Sequence, residues 1–149
     1  MIVISNSSPI IALSRIQRLD IFQQLFGKVI IPPIVYQEVA PEHKSGTQYE
    51  HIHNAVAEFI EVIEPQTVYA FTRNLQQGER GVLNLALELN ADMLIIDDRK
   101  ARNEAREMGI RAVIALTVDI LKQAEARQII PSYIQIIAEL RTKNIFLPA

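Results

Sequence analysis

An α/β fold, with a mainly parallel central sheet and helices on both faces, is what this chain predicts, and three features carry the prediction. Short apolar, β-branched runs alternate with segments whose apolar residues recur at helical spacing, the mark of strand–helix–strand crossovers. One run, Met93-Leu94-Ile95-Ile96, is apolar without interruption, as a strand covered on both faces must be. The 149 residues hold no internal repeat, low-complexity stretch or linker, so a single domain over 1–149 is expected.

Ile2–Ser5 is the first expected strand. Ser7-Ser8-Pro9 reads as a helix start, a hydroxyl N-cap followed by proline at the first helical position, with the helix running through Ile16. A second helix covers Leu19–Phe26 and stops at Gly27, where a left-handed residue is wanted. Lys28–Ile31 is a strand, and Pro32-Pro33 ends it and opens a helix over Ile34–Val39. Ala40 to Tyr49 is polar and turn-rich, a loop leading to a helix near Ile52–Phe59. Ile60–Ile63 is a weakly patterned strand. Helical text resumes at Val68 and, strongly, over Glu79–Leu89, with Asn90 as its stop. The buried strand Met93–Ile96 follows, then Asp97-Asp98 and a charged helix ending at Gly109. A short strand at Ala112–Ile114 and helices near Val118–Arg127 and Ser132–Leu140 complete the chain.

The chain has no cysteine, which excludes a disulfide scaffold and a thiolate-bound zinc and suits the cytoplasm. Its formal charge of −2 excludes a polybasic nucleic-acid binder but not a nuclease whose acidic cluster offsets its arginines. No signal peptide or membrane span is read from it. The apolar fraction, 49%, is high enough that Ile134, Ile136, Ile137, Phe146 and Leu147 are assigned to core or to a subunit contact.

In an open parallel sheet, function gathers at the carboxyl ends of strands. Two expected strands end there in polar groups: Asn6 after the first, and Asp97-Asp98 after Ile95-Ile96. Capping explains one such residue at a time; an adjacent pair of acids is more than capping needs. Glu79 lies three and four residues before Val82 and Leu83, which places its carboxylate on the inward stripe of its helix. Glu38 stands four and three residues after Ile34 and Val35 and shares their face. Inward carboxylates repel one another and persist where a cation neutralises them. Oxygen ligands without thiolates suit magnesium or manganese, and such an ion supports phosphodiester hydrolysis. Phosphate also needs cations, and Arg80, Arg99, Lys100 and Arg102 lie beside these acids; the plainer expectation for them is a solvated helix face with ion pairs such as Arg102 to Glu107. His51 and His53 are expected to face solvent, and Asp119 to serve the first turn of its helix.

The run Val3-Ile4-Ser5-Asn6-Ser7-Ser8-Pro9-Ile10-Ile11-Ala12-Leu13 resembles the first motif of PIN-domain-like proteins, specifically a prokaryotic branch related to VapC toxins. The resemblance continues through Val29–Pro33, Tyr36–Val39, Gly78–Ala86 and Leu94–Arg102, in order and over most of the chain. It implies a metal-dependent ribonuclease of PIN-like fold using Mg2+ or Mn2+, commonly the toxin of a toxin–antitoxin pair and often a homodimer. Position by position, it implies metal ligands at Asn6, Glu79 and either Asp97 or Asp98, with Glu38 as the helix glutamate and Ser7 close enough to orient a ligand or water. Substrate contacts fall to Ser7, Arg80, Arg99, Lys100 and Arg102. RNA and a small antitoxin protein are the implied partners.

One position departs from that pattern. Asn6 stands where PIN nucleases have an aspartate, and an amide oxygen coordinates a cation without charge and cannot act as a base. A unit charge about 4 Å from a cation is worth roughly 4 kcal/mol before desolvation at an effective dielectric of 20. The sequence therefore poses a second function, a PIN-like module that binds RNA or protein without cutting. A receiver-like phosphoacceptor domain fits less well, because its acidic pair comes early in the chain and this one comes late.

Overall fold

The computed structural model describes residues 1–149 and contains five strands and eight helices. In chain order these are β1 (Val3–Ser5), α1 (Ser7–Arg15), α2 (Asp20–Phe26), β2 (Val29–Ile31), α3 (Pro33–Val39), α4 (Thr47–Glu58) and β3 (Ile60–Val62). There follow α5 (Gln77–Leu89), β4 (Met93–Ile95), α6 (Arg99–Glu107), β5 (Val113–Ala115), α7 (Thr117–Ala126) and α8 (Tyr133–Thr142). The five strands form one sheet in the order β3-β2-β1-β4-β5, every neighbouring pair parallel. The expected α/β architecture, with helices on both faces of the sheet, is the one observed.

Burial explains which strands sit where. β1 and β2 are buried at every position, because helices cover both of their faces. The edge strands carry the polar or exposed residues: Glu61 of β3 is exposed and pairs with Lys28 at 2.6 Å, and Val113 of β5 is 61% exposed. The core is continuous, from Ile4, Ile31 and Leu94 in the sheet to Leu13, Phe22, Ile52, Leu83 and Leu121 in the helices around it.

The strand order contains a reversal. The chain steps from β1 outward through β2 to β3, then returns to place β4 on the other side of β1, with Ser5 opposite Ile95. The β1–β4 boundary is thus the switch point of the sheet, where the loops leaving two strands part in opposite directions and open a crevice.

Two expectations are corrected. Residues 63–76 form no helix near Val68, because side chains take the backbone donors that a helix needs. Glu88 accepts from Gln66 N and Thr67 N, Asn84 from Tyr69 N at 3.0 Å, and Glu104 from Thr72 N and Arg73 N. The first helix begins at Ser7, so Asn6 takes the N-cap position and Pro9 falls within the first turn, where its missing N–H is still harmless. The expected stops hold: Gly27 has φ 75°, and Asn90 adopts the left-handed conformation at φ 50°, ψ 59°. In the last segment Ile136, Ile137 and Leu147 pack against the core, whereas Ile134 and Phe146 are exposed. No helix is long and apolar enough to cross a membrane.

Candidate active site at the switch point

Asn6 leaves the end of β1 with its backbone N–H donating to Ile95 O at 3.2 Å, which ties it to the end of β4. It stands at the N-cap of α1 with extended backbone, yet its side chain makes no capping bond. The residue is 4% exposed, and its Oδ1 is buried without a hydrogen-bond partner. Helix capping is therefore not what this amide does. A buried acceptor left without a donor is unfavourable by about 1–3 kcal/mol, and a cation is one group that would satisfy it.

The adjacent acids diverge. Asp97 is buried, and both its oxygens accept from Thr117 at the start of α7, from the backbone N–H at 2.8 Å and the hydroxyl at 2.6 Å. Burial pushes its carboxyl above the ordinary range; the Thr117 bonds and nearby Arg102 oppose that, and Asp119 adds to it. Asp98 is exposed and caps α6, accepting from Ala101 N at 2.8 Å through one oxygen. Its charge is felt by Glu79, whereas that of Asp97 is not among the influences on Glu79.

Glu38 and Glu79 come from α3 and α5, which pack closely; Glu38 is exposed rather than turned inward with Ile34 and Val35, because its carboxylate leans from α3 onto the start of α5. A Cβ placed on Gly78 would lie 2.9 Å from Glu38 Oε1, and one on Gly81 would lie 3.0 Å from Pro32 Cγ. Only glycine permits this approach, which sets the Glu38 carboxylate against the first turn of α5, where unpaired N–H groups favour an anion. The Ser7 hydroxyl donates to Glu38 Oε2 from the other side. Glu79 is half-buried at the same helix start. Burial raises its carboxyl above the usual range against a local backbone hydrogen bond, and the charges of Asp98 and Glu38 raise it further. Asn6, Ser7, Glu38, Glu79 and Asp98 thus gather at the carboxyl edge of the sheet, and Asp97 is turned toward Thr117.

As they stand, no three acidic or imidazole side chains converge closely enough to enclose an ion. The donor set nevertheless fits a hard divalent cation in chemistry: carboxylates that repel one another, an unpartnered buried amide oxygen, and no soft ligand.

Cations rim this cluster. Lys100 donates to Asn74 O at 3.1 Å and Arg80 to Asn74 Oδ1 at 3.4 Å, so two basic groups from different helices meet at one loop residue. Neither these two nor Arg99 and Arg102 forms an ion pair. The expected Arg102–Glu107 pair is absent because Glu107 is taken by Arg73, at 2.8 Å to each of two guanidinium nitrogens. Arg102 instead turns inward near Asp97, its Nε buried.

One residue that matters here was not singled out from the sequence. Glu104 is 1% exposed and holds the loop before α5, accepting from Thr72 N, Thr72 Oγ1, Arg73 N and Arg73 Nη1 at 2.8–3.1 Å. That loop carries Asn74. The signal was legible: Glu104 lies three residues after Ala101 and next to Ala105, on the buried stripe of α6. Asp119 behaves as expected, reaching back to Leu116 N at 2.8 Å. His53 is exposed, with its Nδ1 paired to the Tyr36 hydroxyl.

The model of a family described as DUF3368, PIN domain, matches residues 2–149. Among solved structures, a PilT N-terminus domain protein from the hyperthermophilic archaeon Sulfolobus solfataricus superposes with a TM-score of 0.60 and 20% identity, over 83% of this chain and 93% of that one. At that identity the likeness establishes the fold. No curated protein matches the sequence significantly.

Proposed function

This chain belongs to the PIN-domain family, whose fold is generally that of nucleases, and from that premise we propose that it is a magnesium- or manganese-dependent endoribonuclease acting on unpaired RNA. One observation carries the reading. The carboxylates of Asp98 and Glu38, from two other elements, lie close enough to Glu79 for their charges to act on it, and Ser7, which donates to Glu38, directly follows Asn6, whose buried amide oxygen has no partner.

In this reading Asn6, Glu79 and Asp98 hold the ion. Glu38, fixed between the Ser7 hydroxyl and the start of α5, completes the acidic wall. Asp97 supports the site by anchoring α7 to the end of β4. When bound, the ion supplies Lewis-acid stabilisation of the charge that develops on the phosphate. Arg80 and Lys100 converge on Asn74 at the rim and supply positive partners for the RNA backbone, with Arg99 next to them on α6. Arg102 acts from beneath through Asp97. The toxin role and a small protein antitoxin complete the proposal, and they rest on the VapC-like motifs. The homodimer rests on the same likeness together with the exposed Ile134 and Phe146.

Asn6 favours a second reading, a PIN fold that binds RNA without cutting it, because the amide gives the ion no charge. Cleavage of a labelled single-stranded RNA separates the two. The nuclease reading expects cleavage in magnesium or manganese, none in EDTA, and none from a folded Glu79→Gln variant. Metal-independent cleavage, or cleavage equal in Glu79→Gln, contradicts it; RNA binding without cleavage in either metal favours the second reading.

A further inference from the structure

Beside the acidic cluster, on the other side of α3, lies a groove of about 630 Å³ whose walls include Pro33, Tyr36, Gln37, Pro41, Glu42 and His53. Two of these lining residues form an aromatic pair. The Tyr36 hydroxyl and His53 Nδ1 are 2.5 Å apart, and the rings meet edge to face at 5.5 Å and 64°. A second depression, about 370 Å³, shares Pro33 and Gln37 with the first and extends to Gln77 and Arg80 on α5. The two form one surface from Arg80 across α3 to His53, passing the residue next to Glu38.

We propose that the Tyr36–His53 groove is the subsite for an unpaired nucleobase flanking the phosphodiester bond that the acidic cluster cuts; this rests on the ribonuclease reading above. The chemistry of the surface divides along its length. Arg80 supplies the one positive charge of the second depression, at its α5 end, although Glu64 also lines that depression. No lysine or arginine lines the Tyr36–His53 groove, and Glu42 repels phosphate there. What the groove offers is ring faces, proline edges and the amide of Gln37, suited to a planar, weakly polar group with hydrogen-bonding edges. Because each ring is held by the other, stacking a base on them requires little further ordering. A strand whose phosphates follow the cations of α5 and α6 therefore meets a place for a base, and not for another phosphate, on crossing α3.

The probe is a set of fluorescein-labelled eight-nucleotide single-stranded RNAs in which one abasic nucleotide is moved along the strand, bound to the uncleaving Glu79→Gln protein. One abasic position is expected to weaken binding roughly ten-fold. Adding Tyr36→Leu should weaken the intact RNA by the same factor and leave the RNA abasic at that position unchanged, while Tyr36→Phe, which keeps the ring but loses the bond to His53, should weaken it less than Tyr36→Leu does. Should Tyr36→Leu lower the melting temperature strongly, photocrosslinking of 4-thiouridine RNA to the parent decides instead: crosslinks on Tyr36 or His53 support the subsite, and crosslinks only elsewhere overturn it. Tight RNA binding that ignores both the abasic position and Tyr36→Leu defeats the subsite alone. Absence of RNA binding by the parent defeats the ribonuclease reading and the subsite with it.

Discussion

Thr117 engages both oxygens of the Asp97 carboxylate, through its backbone N–H at 2.8 Å and its hydroxyl at 2.6 Å. Asp98, the next residue, uses one oxygen to cap α6 and lends its charge to the cluster around Glu79. Two acids that read alike in the sequence thus have different surroundings, and their variants should differ accordingly.

Thr117→Val leaves a buried carboxylate oxygen without its hydroxyl donor and should destabilise the fold by about 1–3 kcal/mol. Asp98→Asn keeps an effective N-cap while removing the charge, so stability should hold and metal-stimulated cleavage should fall to background. Urea unfolding and cleavage assays on both proteins check this. A stable Thr117→Val with no activity beside an active Asp98→Asn reverses the assignment.

At Gly78 the close approach of Glu38 gives a second separation of stability from activity. An alanine there meets only the end of a flexible side chain, 2.9 Å away, so Glu38 should swing aside while the helix changes in stability by less than about 1 kcal/mol. Displacing Glu38 should cut cleavage markedly with little movement in Tm. Full activity in Gly78→Ala would show that the position of Glu38 against α5 is not required.

Glu104 predicts an acid limb in the stability profile. Burial alone would raise its carboxyl, but hydrogen bonds from Thr72 and Arg73 outweigh this and hold it at about 2, below its ordinary value of 4.5. A depressed carboxyl contributes stability that is fully present above the unfolded value and is lost as pH falls from about 4.5 toward about 2. Glu104→Gln should melt below the parent at pH 7, and the gap between them should narrow across that acid window. A constant gap from pH 7 to pH 2 would mean that the charge of Glu104 contributes nothing.

Much of this molecule was legible in its residues. Apolar β-branched runs give the strands, Gly27 and Asn90 the helix ends, and the polar groups after β1 and β4 the edge of the sheet where the candidate site lies. What escaped depends on contacts between distant segments. Val68 sits in text that reads as helical, but Glu88, Asn84 and Glu104 claim the backbone donors there from 15–32 residues away in sequence. Asp97 and Asp98 have the same local context, and only the arrival of Thr117 beside the end of β4 distinguishes them. The aromatic groove is equally non-local, since Tyr36 and His53 lie on different helices and meet only in the fold.

Asn6 decides whether the cluster is a cation site. Asn6→Asp is nearly isosteric, so charge is its main consequence. Without metal, it adds a carboxylate to a cluster in which burial and the charges of Asp98 and Glu38 already raise Glu79, and the variant should melt below the parent. With manganese, tighter binding stabilises the folded state. The decisive measurement is the Tm of parent and Asn6→Asp in EDTA and in saturating manganese. The cation-site account predicts that Asn6→Asp is the less stable protein in EDTA and gains more from manganese than the parent does; the same difference in Tm under both conditions would contradict it.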